Sequence, residues 1–135
     1  MKKPLILTPL ERALTSLNRA LERAQKALDD EELRDACIQR FEYTFELCWK
    51  LLKRQLVREI ENEDEVAAYS RRTLFRVGGE RGLLSDVSAW FIYLDKRNIT
   101  SHTYDQKKAD EVRAIIDQFA IDAGNLLEKL KARNA

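Results

Sequence analysis

The longest uninterrupted helical pattern in the chain covers residues 31–60, which read EELRDACIQRFEYTFELCWKLLKRQLVREI. Apolar side chains return in it at intervals of three and four, which is the period of an α-helix with one buried face. A helix of this length spans roughly 45 Å. Its inner face is predicted to consist of Leu33, Cys37, Phe41, Thr44, Cys48, Leu51, Leu52 and Leu56, widened by Ile38, Phe45 and Trp49.

Four further helices are predicted on either side of this segment. The first has Thr8 as its N-cap, and a short one covers Val66–Val77 and stops at the glycine pair 78–79. The next begins near Ser85, and Asp105 caps the last. No segment shows the alternation of apolar and polar residues that a half-buried strand requires. The pattern therefore predicts helices throughout.

The length and composition agree with a helical bundle. The chain has 135 residues with only 4 Gly and 2 Pro, so there is little material for turns, and residues with high helix propensity are abundant. We predict an all-α fold, an up-and-down four-helix bundle with an additional short helix, in which residues 1–135 form a single domain.

The charge distribution bears on the choice of ligand. The net charge of +1 gives the whole molecule no strong preference for nucleic acid or for an anionic membrane. Residues 71–108, however, carry eight bases against four acids. This basic stretch is compatible with a phosphate-bearing ligand, and equally with a solvated helix face.

The sequence disfavours a secreted protein and a membrane protein. The apolar run Leu5-Ile6-Leu7 is too short for a signal sequence or a membrane span, so we expect a cytoplasmic protein without a membrane partner.

Cys37 and Cys48 lie roughly 16 Å apart along one helix, so they cannot form a disulfide with each other and are predicted to be core residues. With a single histidine in the chain, we expect no metal site.

A break in the apolar pattern marks the candidate functional site. On the fourth predicted helix, Val87, Phe91 and Leu94 define a face that we expect to be buried. The same spacing continues to Asn98 and then to His102, so that this face changes from apolar to polar. Buried polar groups cost free energy unless they find partners, and such departures from pattern often mark function. Asn98, one helical turn before His102, would orient its imidazole.

The side chains around this break suit phosphate chemistry without metal. His102 supplies a proton donor or acceptor near neutral pH, and Arg97 supplies a fixed cation for phosphate. Tyr104 adds a phenol just beyond the predicted end of the helix. A lone histidine near a helix C-terminus is nevertheless often only a capping residue.

Two sequence blocks make the chain recognisable. Arg97-x4-His102-x-Tyr104 resembles the signature of HEPN domains, and the block Arg40–Lys50, which reads RFEYTFELCWK, resembles the second signature of the nucleotidyltransferase substrate-binding protein family, the HepT-like toxins. The resemblance extends from about Leu10 to Leu130. It implies a HEPN-like bundle that forms a homodimer with the two signatures facing each other.

The resemblance also implies a function. HepT-like proteins are metal-independent endoribonucleases that need no cofactor. Each is restrained by a minimal nucleotidyltransferase that acts as its antitoxin, in one branch by transfer of AMP to the signature tyrosine, here Tyr104. The alternative is a non-catalytic subunit that binds a nucleotide or another substrate for a two-component nucleotidyltransferase.

The second block has a structural and a functional interpretation. Phe41, Phe45 and Trp49 are four residues apart and are typical of a core stripe. Glu42 and Glu46 form the neighbouring stripe, and we hypothesise that one of them holds Arg97 in place from across the bundle.

The number of histidines gives a separate reason to expect a dimer. Cleavage of RNA without metal needs a base at the 2′-hydroxyl and an acid at the leaving 5′-oxygen. One chain has one histidine, and a two-fold axis would supply a second copy of His102 and of Arg97.

Overall fold

The long helix is present with the predicted bounds. The computed structural model describes residues 3–135, and in it α2 runs from Glu31 to Ile60. The helix begins there because the carboxylate of Asp30 accepts a hydrogen bond of 3.1 Å from the backbone N–H of Leu33. It ends at Glu61, whose backbone turns left-handed with φ of 58°.

All regular elements among residues 3–135 are helical. In chain order they are α1 (Thr8–Gln25), α2 (Glu31–Ile60), α3 (Glu63–Ala67), α4 (Arg71–Glu80), α5 (Val87–Asn98), a 3₁₀ turn (Thr100–His102) and α6 (Gln106–Arg133). α2 packs against each of the other α-helices, and α1 and α6 also pack against each other. The prediction of an all-α bundle is confirmed. In the described residues, no helix is both long enough and apolar enough to cross a bilayer.

An aromatic cluster holds α5 against the bundle. Its members come from α2, α4, α5 and α6, and neighbouring ring centroids lie 4.9–6.3 Å apart. The cluster consists of Phe41, Phe45, Phe75, Trp90, Tyr93 and Phe119, all of them buried. The Tyr93 hydroxyl donates a hydrogen bond to Asp122 of α6, and burial together with this bond raises the pKa of Tyr93. The first two turns of α5 are therefore held against α2, α4 and α6.

Both cysteines are free and buried in the core, as predicted. Burial raises the pKa of the Cys48 thiol, which disfavours the reactive thiolate.

The region between α2 and α5 differs from the prediction. The single helix expected over Val66–Val77 is two helices, because the Ser70 hydroxyl accepts from the N–H of Thr73 and caps a new helix. α4 also continues through Gly78 to Glu80. A side chain on Gly78 would approach Leu52 to 3.1 Å, so this glycine allows α4 to lie close to α2 and does not end the helix.

The start of α1 also differs slightly. Thr8 is the first helical residue and Leu7 is the N-cap, with no capping hydrogen bond from a side chain. The predicted Thr8 cap is therefore wrong by one position.

Candidate functional site

The buried face of α5 is turned by one position from the predicted face. Trp90, Tyr93 and Leu94 are buried, whereas Val87 and Phe91 are only partly buried. Continuing this face by one turn leads to Arg97, whose side chain is 30% exposed. The polar end of the inner face is therefore an arginine.

Asn98 and His102 do not continue the buried face, and the prediction that they do is wrong. Both are exposed in the single chain, and the buried polar residue here is Thr100. The helical period is lost because α5 ends at Asn98 and a 3₁₀ turn follows, closed by a 3.0 Å hydrogen bond from the N–H of His102 to the carbonyl of Ile99. Asn98 and His102 thus do not lie on one continuous helix, and the reason for giving Asn98 an orienting role is lost.

Arg97 is held at two of its three guanidinium nitrogens. Nε donates to Oε1 of Glu46 at 3.1 Å, and Nη1 donates to the Thr100 hydroxyl oxygen at 2.9 Å. That hydroxyl in turn donates to the backbone carbonyl of Arg97 at 2.7 Å. Within residues 3–135 the third nitrogen, Nη2, makes no hydrogen bond. The arrangement fixes the plane of the guanidinium and leaves one of its amino groups available to an anion.

Trp49, which its spacing assigned to the core stripe of α2, also contacts Glu46. The second carboxylate oxygen of Glu46, Oε2, accepts a hydrogen bond of 2.7 Å from the indole N–H of Trp49. Both oxygens of this carboxylate are therefore engaged, one by Trp49 and one by Arg97. The spacing of three residues between Glu46 and Trp49 was the only sequence signal for this contact, because it places both side chains on one face of α2.

The two carboxylates of the second block have different surroundings. Glu46, 25% exposed at its side chain, contacts Arg97 from α2. Glu42 lies one turn earlier, beside a shallow depression that Thr103 also lines. No ion pair joins Glu42 to Arg97 in the part of the chain that is described. Of the two hypothetical partners of Arg97, only Glu46 is in contact.

His102 and Tyr104 stand at the surface next to this arrangement. Their ring centroids lie 6.1 Å apart and the rings meet edge to face at 73°. Tyr104 is 83% exposed, which is unusual for a large aromatic side chain. A polymeric substrate or a second protein can therefore reach both rings.

Side chains that commonly bind metal ions are not clustered in the part of the chain that the structure describes. Among the described residues, no cluster of three or more His, Cys, Asp or Glu side chains could hold a metal ion. What the site presents is a fixed guanidinium, an imidazole and a phenol, which is a set of groups suited to phosphate.

The bundle and its site belong to a known class of protein. Residues 5–132 match the family model described as nucleotidyltransferase substrate binding protein like. Because this match covers nearly the whole chain, the chain belongs to that family.

Similar proteins agree with this assignment. The chain is 44% identical over 110 residues to a probable ribonuclease HepT of Haemophilus influenzae, an alignment that covers 82% of this chain and 75% of that protein. A solved structure from Haemophilus influenzae is described as revealing the fold of a substrate binding domain of a nucleotidyltransferase. It superimposes on this chain with a TM-score of 0.87 at 38% sequence identity, and the match covers 93% of this chain and 99% of the other. A crystal structure from Thermus thermophilus gives a TM-score of 0.75 at 31% identity and covers 90% of this chain and 98% of the other.

Proposed function

We propose that this protein is a metal-independent endoribonuclease, the toxin of a toxin–antitoxin pair whose antitoxin is a minimal nucleotidyltransferase. The observation that carries the proposal is the Arg97 guanidinium, which is held by Glu46 and Thr100 and keeps one amino group free. Likeness to a probable ribonuclease HepT supports it. The pair would act in the cytoplasm.

The proposed reaction is an internal transfer at phosphorus. The imidazole of one His102 takes the proton of the 2′-hydroxyl, and the 2′-oxygen attacks the adjacent phosphorus. The bond to the 5′-oxygen breaks, and that oxygen receives a proton from a second, protonated imidazole. The products are a 2′,3′-cyclic phosphate and a 5′-hydroxyl. Arg97 stabilises the negative charge that accumulates on the phosphate oxygens in the transition state.

The second imidazole is the reason to propose a homodimer. The chain has one histidine, and its exposure in the single chain leaves it open to a second copy. Two chains related by a two-fold axis would bring two His102 and two Arg97 side chains to one cleft.

Tyr104 is proposed as the site at which the nucleotidyltransferase silences the enzyme. Its phenolic oxygen would attack the α-phosphorus of ATP, pyrophosphate would leave, and the phenolic proton would pass to solvent. The high exposure of Tyr104 supports access by a second enzyme, and its ring lies edge to face with His102. An adenylate there would place bulk and negative charge against the imidazole and would repel the RNA phosphate.

A second candidate function is favoured by the family description and by the structure described as a substrate binding domain. In this alternative the protein is a non-catalytic subunit, and the same Arg97 binds the phosphate of a nucleotide or other substrate for the nucleotidyltransferase.

Expression in bacteria without the nucleotidyltransferase separates the two functions. A toxin arrests growth, the Arg97→Ala and His102→Ala variants do not, and co-expression of the nucleotidyltransferase restores growth. Arg19→Ala, which removes an exposed arginine of α1, serves as the matched control and should remain toxic. Harmless expression of the parent protein would favour the binding subunit.

A further inference from the structure

Two exposed arginines at the start of α4 are stacked on aromatic rings. The guanidinium carbon of Arg71 lies 4.8 Å from the ring centroid of Trp49, and that of Arg72 lies 4.3 Å from the ring centroid of Phe91. The ammonium of Lys50 lies 5.8 Å from the Trp49 ring. We call these five residues the arginine surface. It joins α2, α4 and α5 on the outside of the bundle.

The positive charge of the arginine surface is mostly uncompensated. Arg71 has no carboxylate partner among residues 3–135, and Arg72 has only Asp95, at 3.9 Å with both side chains more than half exposed. An exposed pair at that distance contributes little. The nearby carboxylate of Glu46 is already occupied by Arg97 and Trp49. The surface is therefore available to an external anion.

Stacking also prepares the two guanidinium groups for binding. An aromatic ring under a guanidinium fixes its plane while its N–H groups still point along the edge towards solvent, so less side-chain entropy is lost when a phosphate binds. Unpaired bases stack on aromatic rings and on guanidinium planes, and a charged groove follows the backbone. Two arginines at consecutive positions of α4, each held over an aromatic ring, suit a chain of phosphates with accessible bases.

The arginine surface is continuous with the candidate site. Trp49, which supports Arg71 on its ring, donates its indole N–H to the carboxylate that holds Arg97. Arg71 and Arg97 are thus linked through two side chains of α2, which places the arginine surface beside the site at which a polymer would bind.

We propose that the arginine surface binds single-stranded RNA on one side of the phosphate that is cleaved. Arg71 and Arg72 would contact successive backbone phosphates, and Lys50 would add a third cation. This inference rests on the proposed ribonuclease function. The alternative is that the arginine surface binds an acidic surface of the partner nucleotidyltransferase.

Binding of a fluorescein-labelled single-stranded oligoribonucleotide tests the inference by anisotropy at several salt concentrations. All proteins carry His102→Ala so that the RNA stays intact. Arg71→Gln/Arg72→Gln should weaken binding about tenfold at ~0.1 M salt and reduce the salt slope by about 1.4, at ~0.7 for each lost phosphate contact to a single strand. Arg71→Lys/Arg72→Lys, which keeps the charges and loses the planar stack, should keep the slope and bind more weakly than the parent.

The matched control removes two exposed arginines from α1 through Arg12→Gln/Arg19→Gln, and its affinity should stay within about twofold of the parent. Equal losses in both double variants would contradict the inference, because only net charge would then matter. Unchanged RNA affinity in Arg71→Gln/Arg72→Gln, with loss of co-purification with the nucleotidyltransferase, would assign the surface to the protein partner and overturn the inference. If the protein with His102 intact neither binds nor cleaves RNA, the proposed function fails.

Discussion

The guanidinium of Arg97 and the carboxylate of Glu46 lie 3.1 Å apart although 51 positions separate them in the chain. The contact joins the last turn of α5 to the middle of α2, and both side chains are only partly exposed. A charge-assisted hydrogen bond in such a place restricts the arginine more than a surface ion pair would. The pair therefore determines where the free amino group of Arg97 points.

Replacement of Glu46 by Gln should impair RNA cleavage with little change in stability. The amide keeps the shape of the side chain and one acceptor oxygen, but the charge that orients Arg97 is lost. We expect the cleavage rate to fall about tenfold, equivalent to about 1.4 kcal/mol. The melting temperature should change by no more than about 2 °C. Glu42→Gln, one turn earlier on α2, is the control and should cleave at the parent rate.

The indole N–H of Trp49 should act on the reaction through Glu46. In Trp49→Phe the ring under Arg71 remains while the indole N–H that donates to Glu46 is absent. We expect a rate reduction of about threefold to tenfold in single-turnover cleavage, since one hydrogen bond is worth about 1 kcal/mol. In the double variant with Glu46→Gln the two losses should not add, because both remove one contact. Fully additive losses would show that Trp49 acts by another route.

The stability of the bundle should depend on the ionised form of Glu59. Partial burial acts to raise the pKa of this carboxyl, but hydrogen bonds from Gln55 and Arg133 outweigh it and hold the pKa below its ordinary value of 4.5. A lowered pKa in the folded state stabilises the protein above the unfolded pKa, and this contribution is lost as the pH falls through the folded pKa. Glu59→Gln should therefore lower the melting temperature at pH 7 by about 3–6 °C.

The difference in melting temperature between the parent and Glu59→Gln should shrink below about pH 4.5, where this carboxyl takes up its proton in the unfolded chain, and should be lost as the pH falls through the lower pKa of the folded state. Glu128→Gln, on the exposed side of α6, is the control and should change the melting temperature little at either pH. A constant difference across the pH range would assign the effect to packing.

Tyr104→Phe should separate RNA cleavage by this protein from its modification by the nucleotidyltransferase. The variant lacks the phenolic oxygen that would accept AMP and keeps the ring beside His102. We expect it to cleave RNA like the parent, to carry no adenylate by mass spectrometry after co-expression with the nucleotidyltransferase, and to remain toxic in its presence. An adenylate found on the variant protein would show that another residue is modified.

The fold could be predicted largely from local signals. Asp105 caps α6 at the predicted position, because an N-cap is a property of a few neighbouring residues. The region of α3 and α4 was harder to predict. The glycine at position 78 indicates a helix end by its conformational freedom, whereas its actual role is a close approach to Leu52, which only tertiary structure defines.

The site was predicted in part, and the error has two causes. The buried face of α5 is turned by one position from the predicted face, which leaves Asn98 exposed at the end of the helix. The 3₁₀ turn then changes the rotation per residue and leaves His102 exposed as well. The block Arg40–Lys50 of α2 was identifiable by resemblance. The bond from Trp49 to Glu46 required the structure, since the same tryptophan fits a core stripe equally well.

The most direct test is cleavage of a single-stranded RNA by purified His102→Ala, compared with the parent in the presence of EDTA. The parent should cleave and leave 2′,3′-cyclic phosphate ends, and the variant should be slower by at least about 100-fold while sedimenting like the parent. Cleavage by His102→Ala at the parent rate would contradict a reaction that depends on this imidazole.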